Sequence, residues 1–109
     1  MNAEEIRNYV LEKNDVTESF PFGDGVLVFK TNGKIFLLLA LNEEAFSFNV
    51  KCDPDKAILL REEYPHLILP GYHMNKMHWN KVFPEGLKKV LTLEMIDNSY
   101  DLILKKKRK

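Results

Sequence analysis

The chain has one cysteine, Cys52, so no disulfide can form within it, and a reducing compartment is expected. No apolar run approaches the ~20 residues that a membrane-spanning helix needs. The longest, "IFLLLAL" (35–41), has the length of a strand. The opening "MNAEEIRNYV" lacks a basic segment followed by an apolar one, so no signal peptide is expected and the protein reads as cytoplasmic. Net charge is absent too: sixteen basic and sixteen acidic side chains cancel. Residues 1–64 hold seven basic against twelve acidic groups, and residues 65–109 hold nine against four. Five of those nine form the terminal "KKKRK" (105–109), without which the protein is acidic. Composition therefore shows no broad basic face of the kind that binds phosphate backbones.

What is present is enough for one core. At 109 residues and 45% hydrophobic, the chain reads as a single domain over 1–104 followed by a basic tail, 105–109. Residues 2–14 predict a helix, with Asn2 as N-cap, Glu5 as its capping-box partner, and Ile6, Tyr9 and Val10 on the buried stripe. "SFPFGDG" (19–25) is rich in turn formers. "VLVFKT" (26–31), the turn "NG" (32–33) and "KIFLLLAL" (34–41) predict a hairpin, because Asn and Gly tolerate the positive φ of a type I′ turn. "NEEA" (42–45) turns the chain again. "FSFNVKC" (46–52) then alternates, with Phe46, Phe48, Val50 and Cys52 inward.

Asp53 and Pro54 open a second helix that presents Ala57, Leu60 and Tyr64 and stops by Pro65. "HLILPGY" (66–72) is a strand or loop, and "KMHWNKVF" (76–83) alternates as a strand. "LKKVL" (87–91) is ambiguous, and a last helix is expected from Thr92 as N-cap, with Leu93, Ile96, Tyr100 and Ile103 on one face. The order predicts an α+β fold: a two-layer sandwich in which N-terminal, middle and C-terminal helices cover one face of an antiparallel sheet of about four to five strands.

Chemistry-bearing residues concentrate in "PGYHMNKMHWNKVF" (70–83). His73 and His78 are five apart, which sends them to opposite faces of a strand and ~140° apart on a helix, so no shared-face metal pair exists and no metal or cofactor is expected. Cys52, on an apolar strand face, reads as a small buried hydrophobe. No nucleophile elbow, P-loop or dinucleotide glycine pattern occurs, so catalysis is not expected. Strand parity puts Met77, Trp79 and Phe83 with Lys81 on one side, and Lys76, His78, Asn80 and Val82 on the other. The plain reading makes Trp79 a core anchor and leaves Lys76, His78 and Asn80 either holding the preceding loop or facing a ligand.

Four segments, "FKTNGKIFLL" (29–38), "VKCDPDKAILLREEYP" (50–65), "PGYHMNKMHWNKV" (70–82) and "MIDNSYDLI" (95–103), in this order and spacing, resemble the MmcQ/YjbR family of small bacterial proteins. The resemblance implies a CyaY-like or secretion-chaperone-like fold and suggests, by structural analogy, a "double wing" DNA-binding role. Its signature includes Pro70, Gly71, Tyr72, His73, Asn75, Lys76, His78 and Trp79, with Asp97, Ser99 and Tyr100 in the last helix. Around 84–92 the sequence departs from the family, with "PEG" and "LTLE" in place of an Asp-Gly turn and a Pro-Asp helix start. Two functions are expected. One is a nucleic-acid (DNA) binding module using Tyr72, His73, Asn75, Lys76, His78, Asn80 and Lys81. The other is a protein- or ligand-binding adaptor that uses the open sheet face, monomeric in either case.

Overall fold

The structure, a computed structural model, describes residues 1–41, 44–71 and 74–107, with side chains as far as Leu104. The elements in chain order are α1 (Ala3–Leu11), β1 (Val16–Ser19), β2 (Val26–Thr31), β3 (Lys34–Ala40), β4 (Ser47–Lys51), α2 (Pro54–Glu63), β5 (Ile68–Pro70), β6 (Trp79–Val82) and α3 (Lys89–Lys107), with a 3-10 turn over Pro84–Gly86 before α3. All strands join one antiparallel sheet in the order β1-β2-β3-β4-β6-β5. β6 lies between β4 and β5, so the connection through α2 steps over one strand position. The helices cover one face: α1 packs on β1, α3 crosses β2, β3 and β4, and α2 covers β5.

Local sequence signals account for several boundaries. The Asn2 side chain accepts from the Glu5 N–H at 2.8 Å, and Glu5 accepts from the Asn2 N–H at 3.0 Å, closing the capping box. Asn32 and Gly33 take φ of 53° and 76°, as the hairpin requires. The Asp53 side chain accepts from the Asp55 N–H at the start of α2, with Pro54 in the first turn.

Three features differ from expectation. The sheet has six strands, because "VTES" (16–19) forms edge strand β1 alongside β2. It is too short and polar to announce itself, and Arg7 of α1 holds it by a two-bond ion pair to Glu18 at 2.6 and 2.7 Å. This contact holds the Glu18 carboxyl below its ordinary range. The last helix begins at Lys89 rather than Thr92; Thr92 is buried inside it, its N–H and hydroxyl directed back to the Lys88 carbonyl. Finally, the strand predicted from residue 76 begins at Trp79, and Lys76–His78 form a turn.

A β-bulge sits in β3. The register steps from Phe29↔Leu37 to Lys30↔Ile35, leaving Phe36 as the extra residue. The kink lets Phe36 and Leu37 both enter the helix-covered core, where each is fully buried. Phe36 meets Tyr100 of α3 edge-on, with ring centroids 5.4 Å apart.

Candidate functional site

Alternation along the strands, tied together by register, decides which side chains share a face. Leu27, Phe29, Leu37, Leu39, Phe48 and Val50 join Val82 and Ile68 in the core beneath the helices. Val28, Leu38 and Trp79 form a second, smaller buried cluster on the opposite face, with Val26, Ile35 and Met74 packed against it. Trp79 is therefore buried, at 8% exposure, but on the face without helices. Parity grouped the residues of β6 as expected, yet it is Val82 and Asn80 that face the helices and Trp79 and Lys81 that do not.

One register row crosses the whole open face: Ser19, Val28, Leu38, Asn49, Lys81 and Leu69. A second brings Lys30 opposite Ile35, and Lys51 opposite Trp79. Among the described residues, the strand positions on this face carry the lysines Lys30, Lys51 and Lys81 and no carboxylate. Lys81 lies 5.4 Å from the centre of the Phe83 ring. The described aspartates and glutamates all lie on helices, in turns, or, for Glu18, on the helix side of β1. The strand positions of the open face are thus basic, whereas the helices carry both signs.

Of the seven residues expected to form a site, the structure describes five, and these are spread over the turn before β6, the helix-covered side of β6 and the open face. Tyr72 and His73 lie outside the described residues. The Asn75 side chain accepts from the Met77 N–H at 2.9 Å and its carbonyl from the His78 N–H at 3.0 Å, so it shapes the turn before β6. Lys76 is exposed in that turn, and His78 is half-buried, its carbonyl accepting from the Cys52 N–H. Asn80 is 1% exposed, points under the helices, and offers nothing to solvent. Only Lys81 stands on the open face proper. Met74 packs onto the Trp79 cluster, which brings the start of the turn against the same face. Gly71 is required there: a Cβ at this position would meet Trp79 Cβ at 3.0 Å and Asn49 Oδ1 at 3.1 Å. Lys30 was missed because one-dimensional reading treats it as an ordinary outward residue of a separate strand.

Reactive groups are scarce. Burial pushes the Cys52 thiol up, with Lys56 and Arg61 only partly opposing it, so it stays protonated and unreactive at neutral pH. Among the described residues no three His, Cys, Asp or Glu side chains converge on a point, and no helix is long and apolar enough to cross a membrane.

The signature residues of α3 are structural. Asp97 Oδ1 accepts from the Tyr9 hydroxyl and from Lys13 Nζ, each at 2.7 Å, and Lys13 Nζ lies 5.0 Å from the ring centres of both Tyr9 and Tyr100. The Tyr100 hydroxyl donates to the Asn14 carbonyl. Together these contacts tie α1 to α3. The hydrogen bond to Asp97, with some help from burial, pushes the Tyr9 hydroxyl from 10.0 up to about 12. The folded value lies above the unfolded one, so this stabilisation is fully present below about pH 10 and lost as the pH rises through about 12. Denaturant unfolding across that range is expected to show a decline in wild type that Tyr9→Phe lacks, with Tyr9→Phe about 1 kcal/mol less stable at pH 7. Superimposable pH profiles for the two proteins would remove Tyr9 from this account.

Known proteins share this arrangement. The YjbR family model matches residues 11–102. The uncharacterised protein YbdF of Escherichia coli O157:H7 is 39% identical over 102 residues, covering 93% of this chain and 83% of that one. YjbR of Escherichia coli K12 is 26% identical over 114 residues, covering 100% of this chain and 96% of its own. The crystal structure of Deinococcus radiodurans DR2400, a DUF419 domain, superposes with a TM-score of 0.91 at 33% identity, covering 96% of this chain and 80% of that one. A Pseudomonas syringae protein superposes at 0.77 with 25% identity, covering 94% of this chain and 98% of its own. With the same six-stranded sheet and helical layer on the page, and matches along almost its entire length, the chain belongs to the YjbR family.

Proposed function

We propose that this protein is a non-catalytic nucleic-acid-binding module whose contact surface is the open sheet face. The observation that carries the reading is the segregation of charge: Lys30, Lys51 and Lys81 stand on a face whose described strand positions hold no carboxylate. A phosphate backbone laid across the strands meets ammonium groups there, while the described carboxylates lie off those strand positions. Asn49, opposite Lys81 in the same row, adds an amide of the kind that bonds sugar or base edges. Lys76 and Asn75 border the face from the turn before β6. The zero net charge of the chain does not oppose this, since screening confines each charge to its own side at physiological salt.

Fluorescence anisotropy with labelled duplex and single-stranded DNA, across a salt series from about 50 to 300 mM, tests it. A Lys30→Ala/Lys51→Ala/Lys81→Ala variant is expected to bind at least tenfold more weakly, and its duplex salt dependence to flatten by roughly three phosphate contacts at about 0.9 each. Wild-type protein that binds neither DNA, or a triple variant that binds as wild type does, overturns the reading. Binding lost only on removal of 105–109 would credit the tail instead.

A further inference from the structure

Each strand lysine of the open face stands directly across from an apolar side chain. Lys30 of β2 faces Ile35 of β3, Lys51 of β4 faces Trp79 of β6, and Lys81 of β6 faces Leu69 of β5. Directly opposed residues hold their Cβ atoms about 5 Å apart, so each ammonium stem runs beside its apolar partner. The pairs spread over the five adjacent strands from β2 to β5, a width of roughly 19 Å at about 4.8 Å per strand step. Trp79 is closed in with Val28, Leu38 and Met74, whereas Ile35 and Leu69 are half-buried and keep the tops of their side chains open. The face is therefore a patchwork of cation and hydrocarbon rather than a uniformly basic strip.

We propose that this face prefers single-stranded nucleic acid to duplex, with phosphates on Lys30, Lys51 and Lys81 and bases laid on Ile35 and Leu69; the inference rests on the nucleic-acid reading of the same face. A duplex stacks its bases inside and offers a flat surface its sugar-phosphate rails. Its major groove, about 12 Å wide, admits a helix or a two-stranded ribbon, whereas the pairs here occupy five strands. Duplex DNA would thus set sugar and phosphate against Ile35 and Leu69, where polar groups lose water and gain no partner. A single strand separates the two chemistries. Its backbone reaches the ammonium groups while its unstacked bases turn a planar apolar face to the neighbouring side chain. Because the cation and the hydrocarbon are register partners, one nucleotide can meet both.

Fluorescence anisotropy with the full chain compares four labelled probes of about 20 nucleotides: a DNA strand that cannot pair with itself, its duplex, its RNA equivalent, and an abasic strand with the same phosphates. Duplex and abasic strand are each expected to bind at least tenfold more weakly than the better of the two intact single strands, and that better strand names the source as DNA or RNA. Ile35→Thr/Leu69→Thr is expected to lose at least fivefold for the intact strand at every salt concentration with an unchanged salt slope, because all three lysines remain. Thermal melts and Trp79 fluorescence check its fold, and the abasic comparison needs no variant. Duplex or abasic strand bound as tightly as the intact one, or a folded threonine variant with full affinity, overturns this inference and leaves the lysine face as a phosphate site. Wild type that binds none of the four overturns the nucleic-acid reading as well. A peptide of glutamate and leucine that binds more tightly than either intact strand also overturns it, since the occupant is then an acidic protein segment.

Discussion

Ser99→Ala is expected to lower the unfolding free energy by about 3 kcal/mol, the cost of leaving two buried backbone groups unpaired at once. Ser99 is fully buried on α3. Its hydroxyl accepts from the Lys51 N–H at 2.9 Å and donates to the Phe36 carbonyl at 2.5 Å. Phe36 is the bulged residue of β3 and has no register partner in β2 or β4, so its carbonyl needs a donor from outside the sheet. Ser99 supplies that donor, while the neighbouring Tyr100 ring packs edge-on against the Phe36 side chain. Two consecutive residues of one helix thus hold the backbone and the ring of the same bulge. Alanine deletes only an oxygen, so the effect comes from lost hydrogen bonds rather than from a cavity. Thermal melts should fall by on the order of 10–20 °C for a domain of this size. A loss below about 1 kcal/mol would mean that water replaces the hydroxyl and that the bulge does not depend on Ser99.

The opposite sign is expected at Asn80. Asn80→Leu should raise stability by about 2 kcal/mol, because its carboxamide is buried while its Oδ1 and Nδ2 find no hydrogen-bond partner among the described residues. Its register partners are Val50 and Pro70, so the cross-strand surroundings are apolar, and a branched hydrocarbon of nearly the same shape loses nothing polar. Guanidinium unfolding with an unchanged slope and a higher midpoint is the expected result. Asn80→Val, which is smaller, should also gain and so guards against overpacking by leucine. If both variants lose stability, the carboxamide has a partner, and Asn80 returns to the set of residues that do something beyond filling space. The position is instructive because strand parity alone grouped Asn80 with Lys76 and His78, as residues that either hold the preceding loop or face a ligand. The structure closes it under the helices.

Much of the fold was legible because its signals are local. The capping box of Asn2 and Glu5, the positive φ demanded at Asn32 and Gly33, and the Asp53-Pro54 helix start each involve atoms within a few residues of one another. Such signals survive in one dimension. β1 was not legible, since four residues reading Val-Thr-Glu-Ser become a strand only when β2 lies beside them and Arg7 reaches across to Glu18. The start of α3 moved a turn earlier because Thr92, a good cap in isolation, is worth more as a buried residue in a longer helix. The last-helix signature Asp97, Ser99 and Tyr100 carried no visible role, because each partner, Tyr9, Lys13, Phe36, Lys51 or Asn14, is distant in sequence.

By itself, the sequence determined the α+β order, the hairpin, the three helices and the membership of "PGYHMNKMHWNKV" in a recognisable pattern. It also determined which residues of β6 travel together, since a strand's period of two is a property of the backbone. Which of those two groups meets the helices was decided only by tertiary structure. Alternation is a relative statement, and the sheet acquires an inside only when α2 and α3 settle on one side of it. The same step gave a chain of zero net charge a sheet face whose described strand positions carry lysines and no carboxylate. A charge count has no direction; packing gives it one.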